Sequence, residues 1–262
     1  MKSKNILIIA LALLFTTALL MGCSGRTSEN FNVYTDFEGK KIGVITGMIC
    51  DVVAENEIGA KAVYYSDTSA GVEDVRRGRI DGFMIDLSIA RVISGEFDNL
   101  KAVEIPRDIF SGPLGAIAAD QDIIDRFNEF LAGLKADGTL AYMTRYWLEN
   151  NPGSDPSMPP IPLTGENGVL RVATGGTSIP FTYVGANNEL KGFSIELATR
   201  FAASEGKSIE FSTMDFGGLI PYVISGKADL GIDAITITEE RKKSVLFTDS
   251  IYDDQLGIIT RR

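Results

Sequence analysis

The sequence predicts an α/β fold in two lobes, each with a mostly parallel sheet and helices on both faces. Short apolar strands alternate with amphipathic helices over residues 37–150, and again over residues 167–262. Such alternation is typical of parallel sheets. Five prolines in residues 151–166 indicate a linker between the two segments. A motif of glycine, basic residue, aspartate and apolar strand occurs once in each segment, ending at Asp81 and Asp229, and this repeat suggests two related units.

In the first segment, strands are expected at 41–45, 62–65, 80–85, 101–105 and 114–118. Helices are expected at 49–56, 69–77, 87–94, 123–135 and 140–148, the fourth with a clear 3.6-residue apolar period. The third strand is apolar up to Asp86, which is typical of a strand covered on both faces. This segment is therefore predicted to form one complete lobe.

In the second segment, strands are expected at 169–173, 181–184, 208–212, 230–237 and 256–260. Helices are expected at 193–204 and 216–225, and a further one after Thr238. Gly226 follows a helix, where a left-handed glycine is the usual cap. The closing strand, 256–260, is assigned to this second lobe.

Composition limits the possible functions. The chain has 262 residues, a net charge of −10 and no histidine. The acidity and the lack of a basic cluster argue against nucleic acid as a partner. Without histidine we expect no zinc site and no His-based catalytic triad, and the sequence suggests no metal or cofactor. Cys50, which no basic residue flanks, is interpreted as a small buried residue and not as a reactive thiol.

Residues 1–23 form a targeting segment and not part of the fold. Two lysines precede an apolar run of about fifteen residues, which is short for a membrane span, and the run ends in Leu20-Met21-Gly22-Cys23. This ending resembles the bacterial lipobox, which implies lipidation of Cys23, a lipid anchor and a polar tether over residues 24–36. The alternative is an uncleaved anchor. Cleavage before Cys23 removes 22 of 262 residues and two lysines, leaving 240 residues and a charge of −12.

Arg241 stands out in the second segment. Thr238 is a good N-cap, and Glu239 and Glu240 suit the positive end of a helix dipole, whereas an arginine in the first turn does not. A bound anion would offset this cost, and such strand-to-helix corners are where open α/β sheets bind ligands. The alternative is that Arg241 begins a solvated basic run with Lys242 and Lys243.

Several motifs resemble the type 3 solute-binding proteins, the extracytoplasmic receptors of polar amino-acid importers. They are Arg79-Ile-Asp-Gly-Phe-Met-Ile-Asp86, Leu170-Arg-Val-Ala-Thr174, Gly192-Phe-Ser-Ile-Glu-Leu-Ala198, Met214-Asp-Phe-Gly-Gly-Leu-Ile-Pro221, and Gly226-Lys-Ala-Asp229 continuing to Thr236, Thr238 and Arg241. The resemblance implies a two-lobed, type II periplasmic-binding-protein-like fold with a hinged cleft. Residues 37–150 resemble the family's second lobe and residues 167–262 its first. This order implies a circular permutant or, alternatively, a truncated tandem array.

The resemblance also implies a role for each candidate site residue. Asp86 would bind a ligand ammonium group, and Arg241, Thr236 and backbone near Ala234 would bind its carboxylate. Phe216 would stack on the ligand, while Phe181 would line the mouth of the cleft or simply belong to the core. The sequence departs from the family at Met48 and Ile49, which replace a hydroxyl residue, and at Asp233. Asp233 would meet a cationic or hydroxylated ligand group, or would pair with a nearby lysine.

The implied function is the substrate-binding component of an ABC importer. The protein would be a lipid-anchored, extracytoplasmic monomer that captures an amino acid or similar zwitterion and docks on a membrane permease. It would not be an enzyme. Two alternatives remain: a ligand-sensing module for a separate signalling partner, and a periplasmic dehydratase that uses Asp86 and Asp233 as acid and base.

Overall fold

The computed structural model describes residues 30–150 and 154–262. The targeting segment, Cys23 and residues 24–29 of the expected tether lie outside this part of the chain. Within the described residues, none of the helices combines the length and the apolar character needed to cross a bilayer.

The first sheet has the strand order β2-β1-β3-β15-β4. Strands β1, β2 and β3 are parallel, whereas β15 runs antiparallel to both of its neighbours. All five residues of β3 are buried, as its apolar sequence predicts. The strands are β1 (Lys41–Ile45), β2 (Lys61–Tyr65), β3 (Gly82–Asp86), β4 (Leu100–Glu104) and β15 (Leu256–Arg261). The helices packed against them are α1 (Cys50–Asn56), α2 (Thr68–Arg76) and α3 (Leu87–Glu96).

The second sheet has the order β11-β7-β12-β6-β13, with β6 antiparallel to β12 and β13. Its strands are β6 (Ile117–Ala118), β7 (Val169–Thr174), β11 (Ser208–Thr213), β12 (Leu230–Gly231) and β13 (Leu246–Phe247). Its helices are α4 (Gln121–Ala136), α5 (Thr139–Thr144), α6 (Phe193–Ser204), α7 (Leu219–Ile224) and α8 (Glu239–Lys242), with a π-helical turn at Arg145–Asn150. We call these two units the first and second lobes.

Two small antiparallel sheets complete the described fold. One contains β8 (Thr177–Ser178), β9 (Thr182–Val184) and β10 (Leu190–Lys191). The other pairs β5 (Gly112–Leu114) with β14 (Tyr252–Asp254). Because β5 leads into β6 of the second sheet and β14 leads into β15 of the first, this pair marks where the chain crosses between lobes.

The α/β class is confirmed, but the expectation that each lobe is one continuous segment is wrong. The predicted strand 114–118 divides between β5 and β6, and β15 joins the first sheet instead of the second. Helix α4 packs on α6, with the rings of Phe127 and Phe201 4.9 Å apart. The Trp147 indole also donates to Glu196 Oε2 at 2.6 Å, so residues 121–150 belong to the second lobe. Local periodicity identifies a strand or helix but does not indicate which sheet it joins.

Two further expectations need correction. The tether cannot reach residue 36, because Phe31 is buried and stacks on Phe37 at 4.6 Å, and a 3₁₀ turn spans Tyr34–Phe37. The strand expected at 230–237 is regular only over Leu230–Gly231. Residues 154–168 contain no helix or strand, consistent with the linker composition.

The repeated motif forms the same structure in both lobes. Asp81 Oδ2 accepts from the Lys41 amide at 2.9 Å, and the Asp81 amide donates to the Lys41 carbonyl at 2.9 Å. Asp229 makes the equivalent bonds to Arg171, at 2.9 Å and 2.8 Å. In each lobe the motif thus fastens the start of one parallel strand to the start of its neighbour.

Candidate ligand-binding site

A cavity of about 230 Å³ lies between the two lobes, at the carboxyl ends of their parallel strands. Open α/β sheets bind ligands at such edges. The first lobe contributes Ile45, Met48, Ser66, Asp67, Thr68 and Ile85, and the second contributes Gly175, Thr177, Ser178, Thr213, Met214, Asp215 and Phe216. We call this the central cavity.

Asp86 ends β3, directly after Ile85 of the cavity wall, and its side chain is 2% exposed. Its Oδ2 atom has no hydrogen-bond partner among the described residues. Burial raises the pKa of Asp86 well above its usual value, and the charge of Asp254 raises it further. A carboxylate buried in this way is costly until a cation or a proton neutralises it. Asp86 is therefore suited to bind an ammonium group.

Asp254 is a second buried carboxylate near Asp86. It is 5% exposed, and its Oδ2 also has no hydrogen-bond partner among the residues described. Asp254 is close to Asp86 along the chain of pairings, because Leu256, two residues after Asp254, pairs with Asp86 in the first sheet. On the other side Asp254 pairs with Gly112, whose backbone lies against the Thr236 methyl group. Burial raises the pKa of Asp254, while the Gln255 amide, donating at 2.8 Å, opposes the rise.

Arg241 lies on the second lobe and reaches across to the first. Its guanidinium donates to the Thr236 carbonyl at 2.6 Å and to the Gly47 carbonyl at 2.8 Å. Burial lowers its pKa, and the charge of Asp86 opposes that effect. Arg241 of the second lobe and Asp86 of the first lobe therefore interact electrostatically.

Arg241 lines a neighbouring cavity of about 270 Å³ together with Gly47 and Phe216. Phe216 belongs to the walls of both cavities, and its ring centroid lies 5.6 Å from the guanidinium carbon. The backbone of Arg241 is held by the N-cap residue Thr238, whose side-chain hydroxyl accepts a hydrogen bond from the Arg241 amide at 3.2 Å. The helix start expected at Thr238 is confirmed, and it fixes the position of the arginine backbone.

Asp233 has a different environment from the one expected. Its Oδ2 accepts from the Gly175 amide at 2.9 Å and the Thr182 hydroxyl at 3.2 Å, and its Oδ1 accepts from the Ala234 amide at 2.7 Å. Burial nevertheless raises its pKa to about 6. Of the two alternatives for Asp233, pairing with a nearby lysine is wrong, since no salt bridge among the described residues involves this carboxylate. Its bonds to N–H and O–H groups make Asp233 a positioning residue.

Gly175 explains why the carboxylate fits. A Cβ at this position would lie 2.4 Å from Asp233 Oδ2, so the space that a side chain would occupy belongs to the carboxylate. Gly175 itself lines the central cavity. Asp233 therefore shapes the cavity wall from behind. The Ala234 amide, which the sequence suggested for the ligand carboxylate, is committed to Asp233 instead.

The remaining predicted residues divide into cavity wall and core. Met48 lines the central cavity, while Ile49 is half-buried and packs against the core. Thr236 is buried next to Leu114, with which it forms an isolated β-bridge. Phe181 is 1% exposed and packs edge-on against Phe193 at 6.1 Å, so core packing, one of the two alternatives, accounts for it. Cys50 is fully buried, and burial raises the pKa of its thiol.

Sequence reasoning missed Asp67, Asp215 and Asp254. Asp67 reads as the N-cap of a helix, and it does accept from the Ala70 amide at 2.9 Å. Asp215 lies in a motif dominated by the neighbouring Phe216, and Asp254 was hidden in the Asp253-Asp254 pair before the last strand. The signal that could have found them is position, because each lies at the carboxyl end of a strand or directly beyond it.

Comparison with known proteins finds similarity in one part of the chain. Residues 170–262 match the family model of bacterial extracellular solute-binding proteins, family 3. ABC transporter arginine-binding protein 1 of Escherichia coli is 33% identical over 93 residues, which cover 36% of this chain and 38% of that protein. Arginine-binding extracellular protein ArtP of Bacillus subtilis is 37% identical over 93 residues, 36% of each chain.

Among solved structures, arginine-bound domain 1 of TmArgBP is 36% identical over 36% of this chain and 80% of that chain, with a TM-score of 0.32. The chain spans little more than a third of the length of the two curated relatives named above. The family match includes Asp233, Arg241 and the part of the second lobe from β7 to β13, and it also includes β15 of the first lobe.

Proposed function

We propose that this protein is an extracytoplasmic solute-binding protein that captures an amino acid between its two lobes. The observation that carries the proposal is the opposition of Asp86, buried with an unpartnered oxygen, and Arg241 on the other lobe. An anion-binding group and a cation-binding group on facing walls match the two charges of an amino-acid backbone. The family match over residues 170–262 supports the same class.

Each charged residue has a distinct task in this mechanism. Arg241 offers several N–H groups in a planar fork, which suits a carboxylate. Its bond to the Gly47 carbonyl is the contact that a ligand carboxylate would replace or share. Asp86 accepts from the ligand ammonium and so loses the cost of an uncompensated buried charge.

Because Asp86 and Arg241 belong to different lobes, a zwitterion bridges them and favours the closed arrangement. Only a ligand that interacts differently with the open and closed states can drive closure. A ligand lacking either charge would leave one of the two buried groups uncompensated. Binding and closure are therefore coupled through the same pair of side chains.

The relatives support an amino acid as ligand but do not fix which one, since their names specify arginine, histidine and L-cystine. We propose a membrane permease of the ABC type as the partner of the closed form, and this rests on the family match alone.

The dehydratase alternative loses its proposed acid–base pair. Asp233 is held by three hydrogen bonds from protein donors, which leaves Asp86 without the free acid–base partner that the sequence suggested. An ancestral cyclohexadienyl dehydratase does share 35% identity over 30% of this chain. Binding without turnover of the bound amino acid is the outcome we expect.

Thermal unfolding with each of the common amino acids tests the proposal. A ligand at 100 times its dissociation constant stabilises the folded state by about 2.7 kcal/mol. We expect at least one amino acid to raise the unfolding temperature of the purified chain and to lose that effect in Arg241→Ala. If no amino acid stabilises the protein, the proposed function is wrong.

Circular permutation and lipid anchoring are also proposals. Both five-stranded sheets are built from this one chain, each with a strand from the other half, which supports a circular permutant over a truncated tandem array. One ligand per monomer in a calorimetric titration is the expected result. For the anchor, metabolic labelling with a palmitate analogue should mark the wild type and fail to mark Cys23→Ser.

A further inference from the structure

Asp254 lies where the crossover between the lobes meets the strand that carries Asp86. The chain passes between the lobes through β5 and β14, which pair with each other, and Asp254 is the last residue of β14. After Gln255, β15 enters the first sheet beside β3, whose last residue is Asp86. The crossover thus brings a second carboxylate to the strand end that the proposed function assigns to the ligand ammonium group.

The β-pairing sets the separation of the two carboxyls. Leu256 pairs with Asp86 in the first sheet. The Leu87 amide donates to the Gln255 carbonyl at 2.7 Å, so the contact between the two segments continues beyond the end of β15. Side chains two residues apart on an extended strand point to the same face. Asp254 is therefore the diagonal neighbour of Asp86, a relation in which residues of antiparallel strands stand about 7–8 Å apart.

Both carboxyls are buried and incompletely bonded. Asp86 and Asp254 are 2% and 5% exposed, and in each an Oδ2 atom has no hydrogen-bond partner among the described residues. Buried polar atoms are nearly always satisfied, and two ionised carboxylates in one dry site repel each other. One proton removes both difficulties, because it cancels one negative charge and turns a carboxylate oxygen into a donor.

The groups that face Asp86 favour a proton on this pair. Burial raises the pKa of Asp86, and the charges of Asp254 and Asp233 raise it further. Arg241 acts in the opposite direction, but its guanidinium is already bonded to two backbone carbonyls. Burial also raises the pKa of the Cys50 thiol, which therefore stays neutral and contributes no charge. The charges that act on Asp86 in the described residues are thus more negative than positive.

The groups that face Asp254 favour its ionised form. Burial raises its pKa, and N–H and O–H donors and one cation oppose the rise: the Gln255 amide, the Ser88 hydroxyl and amide, and the Arg91 guanidinium. Arg91 is 63% exposed and bonded to Glu104 at 3.0 Å, so solvent weakens its effect. Tyr252 is neutral, since burial and then the charge of Asp254 raise the pKa of its phenol. Asp254 keeps its charge more readily, which leaves Asp86 as the main holder of a shared proton.

Resting on the proposed function, we propose that Asp86 and Asp254 hold one proton between them in the ligand-free protein, and that the ligand's ammonium group displaces it. The carboxyl O–H bond breaks, the proton passes to solvent, and the ammonium group keeps its own three protons and donates to Asp86. Asp254 is a positioning residue in this exchange, because it acts on the ligand through Asp86. Binding is thereby linked to proton release, and the affinity for an amino acid rises with pH.

Calorimetric titration in buffers of different ionisation enthalpy counts the released proton. The probe is the common amino acid that raises the unfolding temperature of the purified chain most. At the pH of maximal effect, we expect release of about half to one proton per site, and an affinity that rises about three- to tenfold per pH unit over part of the range from about pH 5 to 8.

Asp254→Asn changes the pH profile in a way that a merely structural loss would not. Without the second carboxylate, Asp86 ionises at lower pH, so less proton release and a flatter pH dependence are expected. The wild type should bind about threefold or more tightly than this variant at about pH 8, and the difference should disappear or reverse at about pH 5. A variant that is only less well folded would be weaker at both pH values.

Two further asparagine variants are the controls. Asp253→Asn removes the same charge from the adjacent residue of β14, which is exposed and accepts from the Ser250 hydroxyl at 3.2 Å. This variant should keep the proton count and the pH profile of the wild type. Asp233→Asn removes the other buried carboxyl with a raised pKa, about 6. It should retain at least about half of the proton release, because the pair itself is intact.

The two proposals fail in different ways. If an amino acid binds with the same heat in every buffer and the same affinity at every pH, the inference is wrong and the proposed function stands. If Asp254→Asn keeps the wild-type profile, or if the release disappears in Asp233→Asn or Asp253→Asn, the proton belongs to another group and the inference is again wrong. If no amino acid binds at all, both fail.

Discussion

Asp86 and Asp233 end corresponding runs of the repeated motif, yet their surroundings differ. Asp86 follows Asp81 by five residues, and Asp233 follows Asp229 by four. Both are buried, and in both burial raises the pKa. Asp233 accepts three hydrogen bonds, whereas one oxygen of Asp86 accepts none among the described residues. The protein thus supplies donors to the carboxylate of Asp233 in one lobe and leaves an oxygen of Asp86 without a described donor in the other.

This comparison shows that a buried carboxylate alone does not identify a binding residue. A carboxylate whose oxygens all accept hydrogen bonds from the protein supports the structure, whereas one with an unpartnered oxygen is a candidate for ligand binding.

The largest effect is expected for Arg241→Ala, which leaves Asp86 without an opposing cation and the ligand carboxylate without its donor. Truncating one member of a buried charge pair costs about 2–5 kcal/mol or more. Calorimetry with the amino acid found by thermal screening should detect no binding. Arg241→Lys keeps the charge and loses the fork, so partial affinity is expected there, and full affinity in the alanine variant would contradict the assignment.

Asp86→Asn should abolish most binding while stabilising the protein. The expected loss of affinity is about 2–5 kcal/mol, because the ligand ammonium loses its anion. The same change removes an uncompensated buried charge and should raise the free energy of unfolding of the ligand-free protein. Denaturant titration would measure this change in stability, and calorimetry would measure the affinity. A variant that binds the ligand normally would contradict the proposed role of Asp86.

Asp233→Asn is the matched variant in the other lobe. An asparagine amide would face N–H donors where the carboxylate now accepts, and an unsatisfied buried donor costs about 1–3 kcal/mol. We expect this variant to be less stable than Asp86→Asn by about that amount. Equal stabilities of the two variants would show that the hydrogen bonds of Asp233 are unimportant.

Stability should also depend on pH with a defined sign. Asp86, Asp233 and Asp254 all have raised pKa values in the folded protein, that of Asp233 about 6. These three groups bind more protons in the folded than in the unfolded state, so the stability that they contribute at low pH declines as the pH rises through the folded-state pKa values, about 6 for Asp233. Asp254→Asn should flatten this decline in a series of thermal unfolding curves, since it removes one raised group and relieves Asp86.

The smallest effects are expected at the shared motif. Asp81→Asn and Asp229→Asn each keep one acceptor oxygen for the amide at the start of the neighbouring strand, so losses near 1 kcal/mol are expected. Asp229→Asn should cost slightly more, because Asp229 also pairs with the Arg171 guanidinium at 2.5 Å. A larger loss at Asp81 would mean that the two lobes use the motif differently.

Much of the fold could be predicted because the helices and strands are locally encoded. Helix α6 has the predicted bounds, and β1 begins and ends at the predicted residues. The strand exchange could not be predicted, since β6 and β15 look like ordinary apolar strands and their partners are distant in sequence. Long-range pairing is decided by the whole chain and not by the strand itself.

The candidate site, like the fold, could be predicted only where the signal is local in sequence. Asp86 and Arg241 were predicted to bind the two charged groups of one ligand, and the structure shows that the two side chains interact electrostatically; the roles themselves stay predictions. The role of Asp233 could not be predicted, because it depends on the amide of Gly175, which lies 58 residues away in sequence. A glycine has no side chain from which this hydrogen bond could have been inferred. Asp254 was missed because its neighbourhood exists only after β14 crosses between the lobes.

The most direct test of the account uses ligands that lack one charge each. The amino acid identified by thermal screening would be titrated into the purified chain by calorimetry, beside its amine analogue, which lacks the carboxylate, and its deamino analogue, which lacks the α-ammonium group. For L-arginine these analogues would be agmatine and 5-guanidinopentanoic acid. We predict that the amino acid binds with one site per chain and that either deletion weakens binding by at least about 100-fold. Either analogue binding as tightly as the amino acid would contradict the two-lobe recognition of an amino-acid backbone by Arg241 and Asp86.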